Sequence, residues 1–149
     1  MRDYYARHFI AAEQTPSVLY PGARELLDTL QARDHLLAVA TGKSRKGLER
    51  ALLHSGLGRF FHATRCADEC FSKPHPQMLE EVMVECGVLP ERTLMIGDTT
   101  HDLLMARNAG VEAVAVAFGA HPREALEAAG PLEIVASTAA LAEWLGANA

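Results

Sequence analysis

An α/β domain with a parallel sheet covered on both faces is the fold class this sequence predicts, and three observations predict it. Leu36–Ala40 (LLAVA), Thr93–Ile96 (TLMI) and Ala113–Phe118 (AVAVAF) are short uninterrupted apolar runs, the pattern of strands buried on both sides. The segments between them are longer and carry apolar residues at helical spacing. Gly, Pro or small polar residues punctuate the changes from one kind of segment to the other, so strand and helix alternate as in a three-layer α/β/α fold.

Taken in order, Asp3 to Ala12 carries Tyr5, Phe9 and Ile10 near helical spacing and reads as a short amphipathic helix. Pro16, Pro21 and Gly22 then break the chain, and Pro21 suits the first turn of a helix whose apolar face is Leu26, Leu27 and Leu30. The LLAVA strand ends at Thr41–Gly42. Ser44 is placed to cap a helix carrying Leu48, Leu52 and Leu53, which Gly56 and Gly58 close. Ala63–Cys66 reads as a short strand. Pro76 opens a helix with Met78, Leu79, Val82, Met83 and Cys86 on one side, and Gly87 follows it. The TLMI strand breaks at Gly97–Asp98, and a helix His101–Asn108 follows, with Gly110 at its end. Beyond AVAVAF, helices are expected over Pro122–Ala129 and Thr138–Leu145, with a short strand near Ile134–Val135 between them.

The chain has 149 residues, 49% hydrophobic and 22% charged, which suits one soluble globular domain. No stretch approaches the ~18 apolar residues of a membrane helix, and MRDYYARHFIAAEQ has no apolar signal-peptide core. A cytoplasmic protein without a membrane partner is expected. A net charge of −5, with only Lys43, Lys46 and Lys73 as lysines, argues against a nucleic-acid partner. The thiols Cys66, Cys70 and Cys86 are odd in number and suggest no disulfide framework. His62, Cys66 and Cys70 sit four apart, but no fourth zinc ligand has convincing spacing.

In open parallel sheets, ligands bind beyond the carboxyl ends of the strands, so the residues that end the apolar runs carry the functional information. LLAVA ends in Thr41, TLMIG ends in Asp98 with Asp102 four residues on, and FSKPHP places Lys73 in a proline-rich loop between them. A hydroxyl and backbone N–H groups at a helix start can donate to a phosphoryl oxygen. An ammonium neutralises phosphate charge, and two carboxylates suit Mg²⁺. Together they could stabilise charge in an in-line displacement at phosphorus.

On these residues the chain resembles the haloacid dehalogenase superfamily, in its phosphoglycolate-phosphatase-like branch. LLAVATGKS resembles motif II, FSKPHP motif III and MIGDTTHDLLMARNAG motif IV, over roughly Tyr20 to the C-terminus. The resemblance implies a Rossmann-like core and a Mg²⁺-dependent phosphatase acting on a small phosphorylated metabolite. It implies phosphate binding by Thr41, Gly42 and Lys73, a catalytic role for Lys73, and metal binding by Asp98 and Asp102.

The resemblance also exposes a departure. Motif I is Asp-x-Asp-x-Thr/Ser at the end of the central strand, and its first Asp is the nucleophile. Asp3, Asp28, Asp34, Asp68, Asp98 and Asp102 are the chain's only aspartates, and none has another two residues later. The expectation is a core over residues 21–149 that lacks the motif I strand. Residues 1–20 would be a remnant of a helical cap, from an internal start or a truncation. Without the nucleophile the chain is expected to be inactive, and the alternative is a non-catalytic remnant that binds phosphate or serves as a structural oligomer. The missing strand leaves three outcomes: its neighbours pair directly, another segment of the chain fills the gap, or a second copy does. A homo-oligomer in which the N-terminal segment helps cover the gap is the favoured expectation.

Competing patterns fit less well. A P-loop ending at Gly42–Lys43–Ser44 needs a Gly where Leu37 stands. A receiver domain places its acidic residues before the Thr and Lys-Pro, the reverse of the order here. Asp98 and Asp102 taken alone would serve as an N-cap and a first-turn carboxylate. His75 and His101 read as surface polar residues beside the motifs, His121 as a helix entry and Trp144 as a core contact.

Overall fold

The computed structural model describes residues 3–6, 23–117 and 122–148. Its strands are β1 (Asp3–Ala6), β2 (Leu37–Ala40), β3 (Ala63–Arg65), β4 (Thr93–Gly97), β5 (Glu112–Val116) and β6 (Glu133–Val135). Its helices are α1 (Ala23–Ala32), α2 (Arg45–Ser55), α3 (Gln77–Cys86), α4 (Thr100–Asn108), α5 (Arg123–Ala128) and α6 (Thr138–Asn148). Short 3₁₀ turns lie at Gly58–Phe60 and Pro90–Arg92. Among these residues no helix is long and apolar enough to cross a membrane.

The six strands form one sheet in the order β3-β2-β1-β4-β5-β6, and every pairing is parallel. Because strand side chains alternate, each apolar run serves two cores. Leu37, Val39, Leu94, Ile96, Val114 and Val116 face one way, onto Leu27 and Leu30 of α1, Leu48 of α2 and Leu141 and Leu145 of α6. Ala38, Ala40, Met95, Ala113 and Ala115 face the other way, onto Met78, Leu79 and Val82 of α3, Leu103 and Met105 of α4 and Leu126 of α5. The two faces are therefore unequal: branched residues line one, and alanines with flexible methionines opposite line the other. Trp144 packs against the first core, as expected.

The expected caps are present. Ser44 accepts from the Gly47 N–H and starts α2, and Gly56 ends it in the left-handed region at φ 70°. Gly87 ends α3 in the same way at φ 69°. The N-cap of α4 is Thr99 rather than Asp98.

The N-terminal segment departs from expectation. Asp3–Ala6 is a strand, not the start of a helix, and the rest of the expected Asp3–Ala12 helix lies outside the described residues. The place expected to stand empty is filled by this strand, in the middle of the sheet. Tyr4 and Tyr5 align with Leu37 and Ala38 of β2, and Asp3 to Ala6 align with Thr93 to Ile96 of β4. The physical reason is that β2 and β4 are buried, so backbone groups facing the gap must find partners. That demand outweighs the weak helical periodicity of so short a segment, and Tyr has good strand propensity. Of the three outcomes, a segment of the same chain fills the gap.

The filling strand can be tested. Tyr5 pairs with both neighbours, so Tyr5→Pro removes its N–H from the centre of the sheet. We expect a loss of about 2–4 kcal/mol in urea denaturation. Sedimentation velocity at micromolar concentration should also show more self-association than the parent chain, since an open slot offers a strand-pairing surface.

Candidate active site

The buried strands β2 and β4 flank β1, so their carboxyl ends lie at one edge of the sheet, roughly 10 Å apart at ordinary strand spacing. Thr41 follows β2 and is fully buried. Its N–H continues the ladder to the Arg65 carbonyl at 3.1 Å, and its Oγ1 accepts from the Lys43 N–H at 3.1 Å. A hydroxyl that accepts in this way still has its own proton to donate. The N–H groups of Arg45 and Gly47 are engaged within the protein, by Asp68 and Ser44. Gly42 is exposed, and a Cβ there would meet nothing within 4 Å.

Asp98 and Asp102 follow β4 and are 1% and 0% exposed. Asp102 sits in the first turn of α4 in a capping box: the Thr99 hydroxyl accepts from the Asp102 N–H at 3.2 Å, and Asp102 Oδ2 accepts from the Thr99 N–H at 3.3 Å. Oδ2 also accepts from the Asp98 N–H at 3.2 Å. The other oxygen, Oδ1, takes the Lys73 ammonium at 2.7 Å, and the Lys73 side chain is only 8% exposed. Lys73 and Asp102, 29 residues apart, are thus in direct contact, and Asp98 is tied to them through its backbone. Asp98 and Asp102 are therefore not simply cap and first-turn carboxylate, because the capping carboxylate also holds the lysine.

Three further residues position this site and were not singled out in the sequence. Gly97 is one: a Cβ there would lie 2.4 Å from Asp102 Cβ and 2.9 Å from Asp102 Cγ. Only a glycine lets the Asp102 side chain fold back over the strand end. The signal was visible as Thr99-x-x-Asp102, a capping-box spacing directly after Gly97–Asp98. Asn108 is the second: its Nδ2 donates to the Pro74 carbonyl at 2.9 Å and ties the end of α4 to the loop that carries Lys73. Gln77 is the third. Its side-chain oxygen accepts from the Phe71 N–H at 2.7 Å, and its N–H donates to His75 Nδ1 at 3.1 Å. These contacts close the loop around Lys73, whose peptide bond to Pro74 is cis. Nothing in the sequence separates Asn108 or Gln77 from ordinary helix-end polar residues.

His75 is exposed and packs its ring at a tilt against Phe71, with ring centroids 4.8 Å apart and planes 38° from parallel. His101 is exposed on the first turn of α4, and His121 lies outside the described residues. Among the described residues no three His, Cys, Asp or Glu side chains gather as a metal cluster. Cys70 Sγ lies 3.6 Å from Glu81 Oε1, and burial raises its thiol pKa. Cys66 is fully buried, which pushes its thiol from the ordinary 9.0 up to about 11.

Residues 1–116 match the family model described as haloacid dehalogenase-like hydrolase. The "probable phosphatase IndB" of Dickeya dadantii is 41% identical over 123 residues, 82% of this chain and 54% of that protein. A phosphoglycolate phosphatase of Agrobacterium fabrum is 35% identical over 118 residues, 78% of this chain and 51% of that protein. The chain thus spans about half the length of these curated relatives. Among solved structures, a hydrolase from Pseudomonas syringae superposes with a TM-score of 0.80 at 26% identity, over 89% of this chain and 64% of that one.

Two predictions follow from the geometry. Gly97→Ala should lose about 1–3 kcal/mol in urea denaturation because its methyl displaces the Asp102 side chain, whereas Gly42→Ala should stay within about 0.5 kcal/mol of the parent. Iodoacetamide at pH 8 with mass mapping should label Cys70 and Cys86 before Cys66. The order follows from burial, Cys66 being buried and the other two thiols only partly so. As for stability, the neutral Cys66 thiol favours the folded state fully below the ordinary 9.0, and this contribution is lost as pH rises through about 11.

Proposed function

From a chain that belongs to the haloacid dehalogenase-like hydrolases, we propose that these residues form the phosphate- and metal-binding half of a phosphatase site. The activity is a Mg²⁺-dependent hydrolysis of a small phosphomonoester, and the 149 residues alone do not turn substrate over. The observation that carries this reading is the buried Lys73–Asp102 pair at 2.7 Å, beside Asp98 and at the same sheet edge as Thr41. A cation held this far out of water is usually matched to an anion, and Asp102 supplies one while fixing where the ammonium sits.

In this reading Thr41 donates its hydroxyl proton to a phosphoryl oxygen, and the open backbone of Gly42 next to it supports that role. Lys73, held by Asp102, supplies positive charge to the same group. The donor set suits magnesium in kind: Asp98 and Asp102 carry hard carboxylate oxygens at the end of β4. Magnesium held by Asp98 and Asp102 would neutralise charge on the phosphoryl group. Phosphoglycolate is one candidate substrate, by likeness to the relative of that name.

A second reading, a phosphate binder without hydrolysis, is favoured by β1. That strand reads DYYA and ends at Ala6, level with Ile96, so it brings no Asp-x-Asp to the edge where Asp98 emerges. Covalent catalysis here needs that nucleophile, and removing one member of a catalytic unit typically costs most of its rate.

Incubation with p-nitrophenyl phosphate and Mg²⁺ is expected to show no turnover above buffer. Inorganic phosphate should still bind, and Lys73→Ala should weaken it at least about tenfold, as loss of a charge-assisted contact does. Turnover that vanishes on Asp98→Asn would refute the inactivity of the chain. Phosphate binding indifferent to Lys73→Ala would refute the site.

A further inference from the structure

We propose that Arg45 is a positioning residue: it locks the Thr41 loop to the Lys73 loop and so sets the spacing between the two phosphate-binding groups. This rests on the reading of the site given above. Arg45 is the first residue of α2, so its backbone moves with Thr41–Ser44. Its side chain reaches the segment that leads from β3 to Lys73. Its Nε and Nη2 grip the two Glu69 oxygens at 3.0 and 2.7 Å. Nη1 donates to Thr64 Oγ1 at 2.7 Å, and Nη2 to the Thr64 carbonyl at 3.1 Å. The Arg45 N–H adds two contacts to the Asp68 carboxylate, at 3.0 and 3.2 Å.

The contacts continue to both ends of the lysine loop. Glu69 Oε1 also accepts from the Cys66 N–H at 3.0 Å. Arg65 bonds to Glu81 and Glu85, each at 2.9 Å. Burial alone would lower the Arg65 pKa, and its bonds to Glu81 and Glu85 outweigh this. Glu81 in turn accepts from Gln77 Nε2 at 2.8 Å, and Gln77 closes the loop through Phe71. Arg45 and Glu69 are each about one-third exposed, at 32% and 35%, and ion pairs in such positions contribute little to stability. What this pair offers is geometry, since only a guanidinium fork fits both carboxylate oxygens and Thr64 at once. The bond to Arg45 also holds Glu69 below the usual carboxylate range, which keeps the pair charged at ordinary pH.

The test compares the parent chain with Arg45→Ala, Arg45→Lys, Glu69→Gln and the reciprocal swap Arg45→Glu/Glu69→Arg. Two measurements are made: affinity for inorganic phosphate with Mg²⁺, well below the unfolding midpoint, and amide hydrogen exchange. Arg45→Ala, Arg45→Lys and Glu69→Gln should each raise exchange across residues 66–76 about tenfold and weaken phosphate binding about five- to tenfold. Exchange in β4 and β5 should not change, and the swap should recover at least half of the lost affinity. If Arg45→Ala fails to fold, Arg45→Lys and Glu69→Gln carry the comparison. Unchanged exchange in residues 66–76 overturns the proposal, as does faster exchange with unchanged phosphate affinity. A parent chain that binds no phosphate overturns the functional reading instead, and the exchange data then judge the loop lock alone.

Discussion

The Asp102 carboxylate is the constraint on which the site depends. One oxygen holds Lys73 and the other accepts the N–H groups of Asp98 and Thr99, so one side chain fixes the end of β4, the start of α4 and a loop 29 residues upstream. Its burial raises the stakes, because a carboxylate with no exposure must be fully partnered or must lose its charge. Gly97 is the complementary condition. A Cβ there would collide with Asp102 Cβ and Cγ, so the side chain that holds Lys73 could not keep its position over the strand end.

The sheet delivers these groups to one place through its two unequal faces. Alanines beneath α3 and α4 allow close approach, which brings the start of α4 against β4 and lets Asn108 at its far end reach the Pro74 carbonyl. The branched face carries α2, and the short turn from β2 into α2 presents Thr41 and Gly42 at the same edge. β1 separates β2 from β4 and sets the lateral distance between the Thr41 and Asp98 sides.

Much of this was legible in the chain. LLAVA, TLMI and AVAVAF announced doubly buried strands because burial on both faces leaves no polar alternation to mistake for anything else. That Lys73 meets Asp102, with Thr41 and Asp98 at the same sheet edge, could be read ahead because Thr41 and Asp98 end apolar runs, and a parallel sheet gathers such ends on one side. The N-terminal strand was not legible. A segment such as DYYARHFI satisfies a helical period as easily as a strand, and its state was decided by the unpaired backbone of β2 and β4, residues far away in the chain. Asn108 and Gln77 were hidden for a related reason: a polar residue near a helix end says nothing about the loop it will meet.

The position of β1 has a kinetic consequence. Asp3 pairs with Thr93 across about ninety residues, making the centre of the sheet its most non-local pairing, while β4 and β5 are joined by a single short helix. Closing a long loop costs entropy before any contact repays it, and pairings of this kind slow folding. By contact order alone, β2–β3 and β4–β5–β6 would form first as two local leaves, with β1 the seam that joins them. Until that seam closed, each leaf would present an apolar strand edge, the arrangement most open to pairing with another chain.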